Sequence, residues 1–176
     1  MFEIIRRNKI GKWSNVAGIL AIIWMCVIFS FSAQTKEESS EVSEGFSYRI
    51  VNTTWVFFHW DIDEETLQEM ARVIEHSVRK GAHMTEFAIL AILLYLWTGR
   101  WNMARLRRGC AAAVMAALYA GSDELHQRFV AGRAGSFEDV LIDCSGVVLG
   151  MAFFLLAEHV VIVLYQRRKT RKQGES

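Results

Sequence analysis

At 176 residues the chain is long enough for one domain and little more. Its formal net charge of +1 excludes a nucleic-acid binder built on bulk positive charge. Apolar residues make up 52% of the chain and proline is absent, so the hydrophobic stretches, taken in order, decide the fold class.

The first stretch, Trp13 to Phe31, is interrupted only by Ser14, Asn15 and Ser30. Its ~19 residues approach the ~20 that a helix needs to cross ~30 Å of hydrocarbon. Arg6, Arg7, Lys9 and Lys12 precede it, and small residues follow at Ser30, Ser32 and Ala33. A cleaved signal peptide has the same outline. The length of the apolar run and the further spans favour a retained signal-anchor.

Thr35 to Lys80 is acidic, with ten Asp/Glu against five Lys/Arg. Its early part is aromatic, with Phe46, Tyr48, Trp55, Phe57, Phe58 and Trp60. That composition suits either a segment on the membrane surface or a connecting loop covering the bundle. Asp63 is placed to cap a helix beginning at Glu64, with Thr66, Leu67, Met70, Ala71, Ile74 and Val78 as its apolar stripe.

The second apolar stretch is Phe87 to Trp97, led by the mixed segment Lys80 to Glu86. The third is the alanine-rich Cys110 to Gly121. The fourth begins near Val140 and ends at Ala157 or, past Glu158 and His159, at Tyr165. Small residues for close helix packing stand at Gly146 and Gly150, and at Ala116, Ala117, Ala120 and Gly121. Cys26, Cys110 and Cys144 lie in apolar stretches without Cys-x-x-Cys spacing and are expected as free, buried thiols.

Thirteen of the 20 Lys/Arg fall before the first stretch, between the second and third, and after the fourth. The middle group is Arg100, Arg105, Arg107 and Arg108, and the last is Arg167, Arg168, Lys169, Arg171 and Lys172. The positive-inside rule then places both termini in the cytoplasm. The expected fold is all-α: a four-transmembrane-helix bundle in the cell membrane, with a helical extracellular segment between spans one and two. The spans fall near 13–33, 80–98, 109–127 and 139–161, within a membrane domain 13–165. A basic cytoplasmic stretch 1–12 precedes it and a basic tail 166–176 follows. The lipid bilayer is the expected partner, and no nucleic acid is expected.

In this orientation the polar residues collect at the outer ends of the helices. Ser30, Ser32 and Gln34 end span one. Lys80, His83 and Glu86 begin span two. Ser122, Asp123, Glu124, His126 and Gln127 end span three. Arg128 and Arg133 lie in the short outer loop, and Ser136, Glu138, Asp139 and Asp143 open span four. The apolar parts of spans two and three measure only ~17–18 Å at 1.5 Å per residue, short of the hydrocarbon core. Ionisable groups below the headgroups must face the bundle interior and pair. Helical spacing permits it: Lys80, His83 and Glu86 step by three, and Asp139 and Asp143 by four.

A hydrogen-bond network that fixes helix packing is one reading of this cluster. A functional site is the other, because ionisable groups of both signs are a costly packing device in a membrane. His83, Glu86, Asp123, Glu124, His126, Asp139 and Asp143 offer nitrogen and oxygen ligands of the kind Zn or Mn takes, without His-Glu-x-x-His spacing. Lys80, Arg128 and Arg133 offer an anion clamp. With His83 or His126 as acid or base, hydrolysis of a lipid phosphate becomes possible chemistry. His59, His76 and His159 are expected away from the cluster. No cofactor is named by any motif.

Four blocks carry a family resemblance: Phe-Ser-Phe-Ser-Ala-Gln at 29–34, Arg-Lys-Gly-Ala-His-Met-Thr-Glu-Phe at 79–87, the run 118–133 centred on Asp-Glu-Leu-His-Gln-Arg-Phe, and Ser-Phe-Glu-Asp-Val-Leu-Ile-Asp-Cys-Ser-Gly at 136–146. With them the chain resembles the VanZ-like family of membrane proteins. The family pattern falls on Lys80, His83, Glu86, Asp123, Glu124, Gln127, Phe129, Arg133, Asp139, Asp143 and Gly146. Phe87 stands where the family usually has tyrosine, and Ala131 where it usually has proline. The family is named for a protein conferring low-level resistance to teicoplanin, a glycopeptide acting on cell-wall precursors outside the cell. The resemblance therefore implies a bacterial-envelope protein. Two functions follow as expectations. In one, an outward pocket of Lys80, His126, Gln127, Arg128, Arg133, Asp139 and Asp143 binds a cell-wall or lipid-linked component. In the other, an integral membrane hydrolase or transferase uses His83, Glu86, Asp123 and Glu124, with or without a metal.

Overall fold

The structure is a computed structural model that describes residues 2–59, 63–101 and 103–174. Trp60 and the side chains of Arg6, Arg7, Lys9, Lys12, Lys169 and Lys172 lie outside the described residues. Five α-helices account for nearly all of the described chain: α1 (Phe2–Ser32), α2 (Lys36–Phe58), α3 (Glu64–Trp97), α4 (Arg105–Gln127) and α5 (Phe137–Gly174). A 3₁₀ turn, Thr98–Arg100, links α3 toward α4. No strand occurs among the described residues.

Among the described residues, three segments are long and apolar enough to cross a membrane: Trp13–Ser32, Glu64–Arg100 and Phe137–Arg168. The 23 residues of α4 rise ~35 Å, a sufficient length. Its charged ends keep it out of that apolar class, and it packs against α3 and α5.

Hydrogen bonds fix how the helices run. Ser14, midway along α1 where its apolar part begins, donates to the carbonyls of Leu96 and Trp97 at the end of α3. Arg108 near the start of α4 donates to the Tyr95 carbonyl at 3.1 Å. Ser32, ending α1, meets Asp123 near the end of α4. Helices α1 and α4 therefore run one way and α3 and α5 the other, up-down-up-down. The shared core is Ala21, Ile28, Phe87, Leu90, Ala91, Leu94, Tyr95, Ala112, Ala116, Ala120, Val147 and Met151.

Small residues set the closest approach. A Cβ on Gly150 would stand 2.5 Å from the Ala88 Cβ, and Gly146 lies against the Met84 backbone. The Gly146/Gly150 pair thus lets α5 press on α3. Ala116 and Ala120 are fully buried, whereas Gly121 is exposed with nothing near it. Cys26 and Cys110 are also exposed on the outside of the bundle, which corrects the expectation of buried thiols. An apolar run in a membrane helix does not tell the core face from the lipid face, since both are apolar.

Glu158 lies within α5 and does not interrupt it. It accepts from Arg105 at 2.5 Å and from Tyr95 Oη at 3.3 Å. Arg108 lies over the Tyr95 ring, 4.4 Å from its centroid.

The aromatic segment before Asp63 is a helix and not an irregular loop, in keeping with the helical segment expected between the first and second stretches. It is α2, running back along the first half of α3. A reciprocal capping box starts it, with Thr35 N–H donating to Glu38 at 2.8 Å and Glu38 N–H to Thr35 at 3.3 Å. His59 ends it in the left-handed conformation, φ 53°. The buried face steps Ser43, Ser47, Val51; Ser43 donates to Glu75, and Val51 clusters with Leu67 and Ala71, with Tyr48, Trp55 and Ile74 around them. Two serines on the buried face hid this period from a reading based on apolar spacing. Asp63 caps α3, accepting from Thr66 N–H at 2.8 Å. The amphipathic stretch after Asp63 and the second apolar stretch are one helix of 34 residues.

Candidate functional site

Helices α1, α3, α4 and α5 each bring polar side chains to the same end of the bundle, beside the base of the α2/α3 hairpin. Asp123 is buried at 3% exposure. Its Oδ2 accepts from Ser32 Oγ at 2.5 Å and from Gln127 Nε2 at 3.1 Å, and Gln127 also donates to Ser32 at 3.1 Å. Oδ1 of Asp123 is buried without a hydrogen bond. Glu124 turns to the loop, where Oε1 accepts the Ser136 N–H at 2.6 Å and braces the entry to α5.

His83 and Glu86, one turn apart on α3, face each other with Nδ1 and Oε2 3.4 Å apart. That is an ion-pair distance, but the atoms are poorly aimed, and neither has another partner. The Glu86 carbonyl accepts from Trp24 Nε1 at 2.9 Å, which ties this turn of α3 to α1. Asp143 is buried at 3% exposure on α5. Lys80 reaches Asp139 at 3.8 Å.

Lys80, His83, Glu124, Gln127, Asp139 and Asp143 border a cavity of about 230 Å³, with Arg133 from the loop between α4 and α5. Gly132, at φ 74°, lets that loop turn sharply. The loop docks on the start of α2, where Lys36 N–H donates to the Ala131 carbonyl at 3.4 Å and a Cβ on Gly132 would touch the Lys36 side chain. Burial lowers the Arg133 pKa from its ordinary value, and the positive charge of Arg79 lowers it further.

Four candidates from the sequence do not line this cavity: Glu86, Asp123, His126 and Arg128. His126 stacks on Phe29 with ring centroids 4.5 Å apart. Arg128 ends α4 on the surface, its side chain against Gly135. Phe129, a motif position, is 83% exposed. Conversely, Lys36, Ser39, His76 and Arg79 border the cavity although sequence spacing had not singled them out. His76, expected as a bystander, sits exposed at the rim. The signal for His76 and Arg79 was present, two turns and one turn before His83 on the same helix. Lys36 and Ser39 carried no such signal, because α2 reaches the site only by its fold-back.

Among the described residues no three of His, Cys, Asp and Glu form a group able to hold a metal ion. Of the donor set read from the sequence, Asp123 and Glu124 are engaged by hydrogen bonds within the bundle.

Neither a curated protein nor a solved structure matches the chain. The VanZ/LLP1 family model does match it, over residues 17–158, from within α1 to Glu158 of α5. That region contains the whole cavity and every helix that builds it. The chain, an all-helical protein with membrane-spanning helices, therefore belongs to the VanZ/LLP1 family.

Proposed function

We propose that the protein is a four-span envelope membrane protein, N-in and C-in, whose outward-facing polar pocket binds a cell-wall or lipid-linked component. In this reading α4 is the additional span, and the membrane domain covers residues 13–165. The bound component is withheld from teicoplanin-type glycopeptides, which lowers susceptibility to them. One observation carries the reading: polar side chains from four helices surround a single cavity at the bundle end that the positive-inside rule turns outward. Nδ1 of His83, a residue that borders this cavity, is buried without a hydrogen bond and supports the reading, because such an atom is costly unless something else meets it.

The test is susceptibility to teicoplanin, with vancomycin alongside, in a sensitive Gram-positive host. The host expresses wild type, His83→Ala or Asp123→Asn at matched membrane levels. Protection by wild type and loss in both variants is the expected result. No protection by wild type would refute the resistance role.

One contact favours a second reading, an integral membrane hydrolase or transferase acting on a lipid or lipid-phosphate headgroup. His83 sets Nδ1 against a carboxylate while its ring borders the cavity. A histidine held by an acid is a usual general base. Asp123 and Glu124 are already engaged by Ser32, Gln127 and Ser136, so this chemistry falls mainly to His83 and Glu86. Release of inorganic phosphate or headgroup by purified protein, lost in His83→Ala, would establish it.

A further inference from the structure

A second cavity, of about 530 Å³, lies between the end of α1, the first half of α2 and the middle of α3. Phe31, Val42, Phe46, Val78 and Ala82 build much of its wall. Phe31, Val42 and Phe46 are themselves 43%, 58% and 59% exposed, so its rim is apolar and open to the side. Four residues border both this cavity and the polar one: Ser39, Arg79, His83 and Arg133. All four can donate hydrogen bonds, and none is a carboxylate.

The two guanidiniums stand close enough for the charge of Arg79 to disfavour that of Arg133. Arg79 is held by Glu75 at 3.4 Å and by Ser40 at 3.1 Å. Arg133 has only one long bond, to the Phe31 carbonyl at 3.4 Å. A partly buried arginine whose one hydrogen bond is long, facing another arginine, presents a place for an anion. Glu41 and Glu86 line the apolar cavity and Glu124, Asp139 and Asp143 the polar one, but no carboxylate lines the shared boundary.

Resting on the pocket reading above, we infer that the ligand is a lipid phosphate whose headgroup phosphate sits between Arg79 and Arg133, with its hydrocarbon chain in the α1/α2/α3 cavity. The phosphate accepts from both guanidiniums and from Ser39. The chain enters sideways between Phe31 and Phe46, and anything attached beyond the phosphate extends into the polar cavity toward Lys36 and Lys80. Apolar burial of the chain and charge-assisted bonds to the phosphate each add affinity, so the ligand needs both parts.

The test uses the full chain in nanodiscs and a phosphatidic acid with a photoreactive diazirine on one acyl chain. A diacylglycerol with the same chain is the uncharged control. Cross-linked peptides are read by mass spectrometry. Phosphatidic acid should label the 41–49 segment of α2 at least tenfold more than diacylglycerol. Arg133→Gln should cut that labelling about tenfold. Ala82→Trp, which fills the cavity from an exposed position, should do the same without changing thermal unfolding. Equal labelling by both lipids, or labelling indifferent to both variants, would overturn the inference. A titration with glycerol 3-phosphate separates the two levels. If it binds through Arg133 while phosphatidic acid leaves α2 unlabelled, the lipid inference fails and the pocket reading stands. If neither probe binds, both fail.

Discussion

Ser32 and Asp123 are 91 residues apart in the chain, yet a 2.5 Å hydrogen bond joins them where neither sees solvent. The bond ties the end of α1 to the end of α4, and Gln127 braces it from one turn away. Ser32→Ala removes the hydroxyl and leaves Asp123 with Gln127 alone. A buried hydrogen bond to a charged group contributes ~1.5–3 kcal/mol. The variant should therefore show a clearly lower thermal midpoint in detergent, and an unchanged midpoint would mean that the bond holds nothing.

Helix α5 should tolerate nothing large where it presses on α3. Gly150→Leu puts a side chain into Ala88 and should cost ~1–3 kcal/mol or prevent folding. Gly121→Leu, with open space around it, should stay within ~0.5 kcal/mol of wild type. Comparable loss in both variants would show that the cost comes from helix propensity or expression and not from this contact.

The two ends of the bundle should label from opposite sides of the membrane. In a variant with Cys26, Cys110 and Cys144 replaced by alanine, Ala134→Cys should react with an impermeant maleimide added to intact cells. Met103→Cys should react only after the membrane is opened. The reverse pattern would invert the orientation and remove the outward pocket with it.

The tip of the α2/α3 hairpin should loosen in acid. The Thr66 N–H holds the Asp63 carboxyl below its ordinary value of 3.8, so the folded cap binds its proton later than the unfolded chain does. Its contribution is complete above that ordinary value and disappears as pH falls through the lower folded one. Amide exchange in the first turn of α3 should rise there, and Asp63→Ala should show fast exchange at every pH. Protection independent of both would remove Asp63 from the account.

The sequence made much of this architecture readable, for physical reasons that differ by element. The apolar stretches, the Asp63 cap and the Gly146/Gly150 contact are local signals, written in consecutive residues or one helical face. The polar ends of α1, α3, α4 and α5 were legible because ionisable groups next to long apolar runs stand out. The course of α2 was not, since its buried face carries Ser43 and Ser47, which read as polar residues. Lys36 and Ser39 were missed for the same reason. His126 and Arg128 sit within the densest motif, yet the turn ending α4 aims them elsewhere, because adjacent helical residues point about 100° apart.

Helix α3 runs unbroken for 34 residues, ~51 Å, from the capped tip of the hairpin to the far end of the bundle. The same rod carries Leu67 and Ala71 in the hairpin, His83 and Glu86 at the cavity, and Leu90 and Leu94 in the core. It has no proline and no 3₁₀ turn before Thr98 to act as a joint. A load applied at the tip therefore arrives at His83 as tilt rather than being absorbed along the way, and the hairpin acts as a lever arm with its fulcrum where Gly146 meets Met84.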